Sequence, residues 1–130
     1  MDIQDVADIC ASFEQHMPGC EVVIKIHPAE RVDKYDGVGV EVVVSDLFEH
    51  ILWADVVVSK DSSTLLEAMV LHRPVISYKP AKLMYFVRAD VVQIVHDRSG
   101  LDRLLSTYDR SVRAVLRSQT EFVNEGIVLD

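Results

Sequence analysis

Five short runs of consecutive apolar, mostly β-branched residues frame this chain: EVVIKI (21–26), VEVVVS (40–45), DVVVS (55–59), PVISY (74–78) and VVQIV (91–95). A strand with one face in water alternates apolar and polar residues. These runs do not alternate, so both of their faces need covering. The segments around them carry apolar residues at helical spacing. Ile3, Val6, Ile9, Cys10 and Phe13 mark a helix over 2–16. DLFEHILWA (46–54) is a short helix that Ser45 or Asp46 can cap. Residues 63–72, 99–108 and 110–123 read as further helices, 29–39 as a polar loop, and 80–90 as a lid-like loop with a helical turn. Short strands alternating with helices predict an α/β fold: a Rossmann-like three-layer sandwich with a mainly parallel sheet of about five strands, one domain over 1–130.

Hydrophobic residues make up 49% of the 130, enough for a real core. Thirteen basic against 21 acidic residues, net −8, argue against a nucleic-acid or anionic-membrane binder, which displaces counterions with a basic surface. A single diphosphate is another matter, since backbone N–H groups at a helix start can hold it. Cys10 and Cys20 match no zinc or redox spacing and read as reduced thiols. The acidic start MDIQDVADICASF lacks the pattern of a signal peptide, and no apolar run approaches the roughly 20 residues of a membrane span. A cytoplasmic location follows as the expectation. No G-x-S-x-G, GxGxxG, P-loop or metal-ligand spacing is present, so neither a metal nor a cofactor is expected.

The chemistry concentrates in ADVVVSKDSSTLLEAMVLHRPVISY (54–78). Ligands of open parallel sheets sit at the carboxyl ends of the strands. There the third strand turns through KDSST into a helix whose first N–H groups lack internal partners. The hydroxyls of Ser62, Ser63 and Thr64 add donors at the same spot, a set able to wrap a diphosphate without net positive charge. A second reading stands beside it. Thr64-Leu65-Leu66-Glu67 fits the S/T-x-x-E capping box, with Asp61 and Ser62 as ordinary turn residues.

The same string resembles the second domain of the GT-B-fold glycosyltransferases and their relatives, the UDP-N-acetylglucosamine 2-epimerases and the CDP-glycerol glycerophosphotransferases. Those families carry a pattern like aDvvvs…SS…EAmalGrPvi. The resemblance implies Ser62, Ser63 and Thr64 at the nucleotide diphosphate and Glu67, seven residues before Pro74, at the ribose hydroxyls. VVIKIHP (22–28) is similar to a K-x-H-P element of the transferase relatives. It implies His27 near the phosphates or sugar, as the catalytic candidate, and Lys25 as an accessory. Taken without the resemblance, His27 is equally a strand-end cap and Lys25 a half-buried lysine packed along its stem. Lys60 and His96 are further accessory candidates because they leave strands at the same edge, although His96-Asp97-Arg98 also reads as a simple strand exit. Lys79, Lys82 and Arg88 read as solvated charge, and Arg103, Arg110, Arg113 and Arg117 as a helical stripe paired with carboxylates.

The resemblance implies the nucleotide-sugar half of a two-domain enzyme, with the acceptor site in another domain and no turnover by this chain alone. An epimerase half, or a non-catalytic Rossmann-like interaction domain, are the alternatives. Three departures stand out. His72 replaces the glycine that ends the family's helix. The chain opens on a helix, so the family's first strand, central in the order 3-2-1-4-5-6, is absent. The remaining strands then close up, or another chain supplies the strand in a homo-oligomer, or the chain is a fragment. The family's last helix has no counterpart after Val128.

Overall fold

The computed structural model describes residues 1–26, 29–44, 46–82, 91–108 and 116–119. Helix α1 (Ile3–His16) starts at Asp2, whose carboxylate accepts from the N–H groups of Gln4 (2.7 Å) and Asp5 (3.3 Å). Strand β1 (Val23–Lys25) follows. The expected loop after it instead contains a 3₁₀ segment, Val32–Val38, kinked at Tyr35. Tyr35 explains the difference. Its ring is buried and its hydroxyl sits 2.8 Å from the Met1 carbonyl and 3.0 Å from the Glu30 carboxylate, drawing a polar stretch inward.

Strand β2 (Glu41–Val43) leads to α2 (Leu47–Trp53), which Asp46 caps by accepting from the Phe48 N–H (2.9 Å). Then come β3 (Val57–Ser59), α3 (Thr64–Val70), β4 (Val75–Tyr78), β5 (Gln93–Val95) and α4 (Arg98–Ser106). Asp97 caps α4 through the Gly100 N–H (2.7 Å). Residues 116–119 are helical; the rest of the helix expected over 110–123, and most of the lid-like loop expected over 80–90, lie outside the described residues.

All strand pairs among the described residues are parallel. β1 pairs with β2, and β4 lies between β3 and β5, with Ser59 beside Ser77 and Tyr78 beside Val95. The fold is therefore α/β with five described parallel strands, divided into a two-stranded and a three-stranded sheet. Among the described residues no ladder joins the two, so the single sheet expected from the sequence is there divided. All four residues of β4 are buried, as its unbroken apolar run requires. The residues of β1 and β3 are only half-buried, as those of strands lying at sheet edges are.

The period of two along β4 distributes its side chains between two cores. Val75 packs with Leu65, Ala68 and Met69 of α3, Ile51 of α2, and Val91 and Val92. Ile76 and Tyr78 pack on the other face with Ile9 and Phe13 of α1, Leu101 and Leu105 of α4, and Val95. Each such aliphatic side chain contributes roughly 1.5–3 kcal/mol by leaving water. A third cluster, Val6, Ile26 and Tyr35, with Cys10, Ile24 and Val42 against it, belongs to the two-stranded sheet. Helix α1 thus contributes Ile9 and Phe13 to one cluster and Val6 and Cys10 to another. A polar contact pins α1 to α4. The buried Ser12 hydroxyl donates to Asp102, His16 Nε2 lies 3.2 Å from the same carboxylate oxygen, and Arg98 donates to Gln15 (3.3 Å).

Helix α3 ends where the family pattern has glycine. His72 takes a left-handed backbone (φ 57°), its N–H donates to the Met69 carbonyl (3.0 Å), and the Arg73 N–H donates to that of Ala68 (2.9 Å). That is a Schellman closure, made with a histidine in place of glycine. No helix among the described residues is long and apolar enough to cross a membrane.

Candidate functional site at the carboxyl rim

Parallel strands end on a common edge. Lys60, Asp61 and Ser62 leave β3 there, Lys79 and Pro80 leave β4, and His96 and Asp97 leave β5. The β3–α3 junction is built by local bonds. Ser62 Oγ accepts from the Thr64 N–H (3.1 Å) and donates to Thr64 Oγ1 (3.0 Å). Ser63, in helical conformation, occupies the cap position and makes no side-chain cap bond; Thr64 is already the first helical residue. The capping box with Thr64 as cap is therefore not formed. Glu67 is exposed on the first turn, and its carboxylate has no hydrogen bond or ion pair among the described residues. The same holds for the exposed Ser63 hydroxyl and for the ammonium of the half-buried Lys60. Two of the three candidate hydroxyls, Ser62 and Thr64, are engaged with each other, so a ligand at this mouth would exchange that bond for its own.

Two contacts that sequence reasoning missed hold the mouth in place. The Asp61 carboxylate accepts from the N–H groups of Ala81 (3.1 Å) and Lys82 (3.3 Å), tying the exit of β3 to the exit of β4. The buried Ser77 hydroxyl donates to the Lys60 carbonyl. Both partners are distant in sequence, so Asp61 carried only a turn signal. Lys79, read as solvated charge, is instead paired. Its ammonium donates to the Asp5 carboxylate (2.9 Å), and its N–H donates to the Val95 carbonyl (2.8 Å) from a left-handed backbone (φ 51°). The bond to Asp5 holds the Lys79 ammonium above the usual lysine range.

The structure brings Lys60, Ser62, Ser63, Thr64 and Glu67 to one junction. His96 is exposed on the same rim but two strands away, roughly 10 Å at ordinary strand spacing. Lys25 ends β1 in the other sheet, where its ammonium donates to the Ile26 carbonyl (2.8 Å). His27 and Arg88 lie outside the described residues. Among the described residues no group of three or more His, Cys, Asp and Glu side chains is placed to hold a metal ion.

No family model, curated protein or solved structure matches this chain. The chemistry of the rim therefore rests on its own geometry. An exposed hydroxyl and an ammonium suit an anion, and a carboxylate one turn along suits a vicinal diol.

Proposed function

We propose that the β3–α3 junction binds a nucleoside diphosphate-sugar, and that this chain is the donor half of a GT-B-like glycosyltransferase on a Rossmann-like three-layer scaffold. The observation that carries the reading is the unspent Glu67 carboxylate, exposed at the sheet's carboxyl rim with the capping box unmade. A purely structural S/T-x-x-E would have consumed it. The strand grouping lends support to the scaffold. A parallel pair, β1–β2, and a parallel triplet, β3–β4–β5, fit the two flanks of an open sheet of order 3-2-1-4-5-6.

In this reading Ser63 and Lys60 meet the diphosphate, Ser62 and Thr64 exchange their mutual bond for phosphate oxygens, and Glu67 accepts from the ribose hydroxyls. Negative charge building on the leaving diphosphate meets donors already in place, which lowers the barrier without a base. His27 is the catalytic candidate that the K-x-H-P resemblance adds. The acceptor and its activating base belong to another domain, so the chain alone binds donor and turns nothing over. The same site serves a 2-epimerase half equally well. A non-catalytic interaction domain is the competing reading, favoured by the closed Ser62–Thr64 pair.

Titrating UDP, CDP and GDP while following Tm tests the proposal. A nucleotide at a hundred times its Kd adds about 2.7 kcal/mol of stability. Glu67→Ala changes the unliganded protein by less than about 1 kcal/mol, the worth of a charge at a helix start, yet removes the nucleotide's gain. No gain in either protein would leave the interaction-domain reading standing, and equal gains in wild type and Glu67→Ala would overturn the ribose role of Glu67.

A further inference from the structure

Lys79 is held in a position that its sequence does not favour. It follows the last residue of β4 and precedes Pro80. A residue before proline is pushed towards extended backbone, yet Lys79 is left-handed (φ 51°). Side chains alternate along β4. Val75 faces α3, Ile76 faces α1, the Ser77 hydroxyl reaches the Lys60 carbonyl at the exit of β3, and Tyr78 faces α1. An extended residue 79 would fall on the α3 side. Instead its ammonium sits on the α1 side, 2.9 Å from the buried Asp5 carboxylate.

The β3–α3 junction lies on the side that Lys79 has left. Val57 stands beside Val75 and Ser59 beside Ser77, a register that puts residue 79 level with Asp61. Neighbouring strands are about 5 Å apart. A lysine carries its charge on a flexible four-carbon stem, so from an extended residue 79 it reaches the mouth where Lys60 and Ser63 stand. The Asp61 carboxylate offers Lys79 no rival partner, since it accepts from the N–H groups of Ala81 and Lys82. Those bonds also keep the exits of β3 and β4 clamped together while residue 79 turns. Strained residues persist where side-chain contacts hold them, and they collect at ligand clamps and switches. Here the holding contacts are the Asp5 carboxylate and the Tyr78 ring, 5.8 Å from the ammonium.

Resting on the donor-site reading above, we propose that Lys79 is an autoinhibitory switch of that site, paired with Asp5 while the junction is empty and turned extended onto the diphosphate when the donor binds. Phosphate oxygens take the ammonium from Asp5, and residue 79 gives up its strain. The Asp5 pair competes with the ligand, so the apparent affinity is reduced to the fraction of molecules whose Lys79 is free.

Calorimetric titration of the full chain with inorganic pyrophosphate and with UDP tests this in wild type, Asp5→Asn, Lys79→Met and the double variant. Pyrophosphate has no ribose, so it reads the Lys79 contact apart from Glu67. Asp5→Asn should tighten pyrophosphate binding roughly threefold to tenfold. Lys79→Met should weaken it, and the double variant should bind as Lys79→Met does, because the effect of Asp5 passes through Lys79. If Asp5→Asn fails to fold, the backbone carbon shifts of residue 79 in wild type decide the matter: they should move from left-handed to extended values as pyrophosphate binds. Binding that neither single change alters overturns the switch and leaves the donor site standing. So does a gain from Asp5→Asn that survives in the double variant, which marks a plain charge effect. Pyrophosphate and UDP ignored by all the proteins remove the donor site, and the switch with it.

Discussion

His72 holds a backbone conformation that glycine adopts freely and a histidine adopts at a cost of roughly 1–2 kcal/mol. Its side chain is exposed, so His72→Gly removes the strain while taking little packing away. The variant should be more stable by about 1 kcal/mol in urea unfolding, with an unchanged m-value. The position was legible because the Schellman closure needs a left-handed residue just there. The junction residues were legible only in part. The sequence showed that hydroxyls and a carboxylate gather at a helix start, but S/T-x-x-E fits capping and ligand binding alike. Only the helix register separates the two, and α3 starts at Thr64 instead of just after it. Asp61 and Ser77 escaped notice because their partners sit on other segments, where no local pattern records them.

At the level of elements, the polar part of the α1–α4 contact centres on one carboxylate. The Ser12 hydroxyl, then Arg98 and His16, hold Asp102 below the usual carboxylate range. The sign follows from linkage. A carboxylate with a depressed folded pKa adds stability above the unfolded value of about 3.9, and that stability is lost as pH falls through the folded value. Asp102→Asn should therefore lower stability at neutral pH and flatten the acid limb of a plot of Tm against pH. Parallel curves for the two proteins would show that the contact carries no proton linkage. Helices and strands were readable from period and run length, since α1 to α4 and all five strands stand where the apolar pattern puts them. The described strands are shorter than their apolar runs, because a run records burial and a strand records paired backbone. The 3₁₀ segment was hidden for the opposite reason: a single buried tyrosine in a polar stretch leaves no period.

For the molecule as a whole, the divided sheet predicts uneven stability. β4 is sealed on both faces and paired on both sides, whereas β1 and β2 are half-exposed or exposed and paired once. Hydrogen exchange should therefore protect the amides of β4 most strongly and release those of β1 and β2 first. Uniform protection across all five strands would mean that the two sheets open as one unit. The sequence announced five strands but not their division, because strand pairing is a long-range property that apolar runs do not encode. Of the described helices, α1 is the one whose side chains enter the cores of both sheets. It works as an axle between two wheels: a proline at its midpoint, in place of Ala11, would leave each sheet turning on its own, and one melting curve would become two.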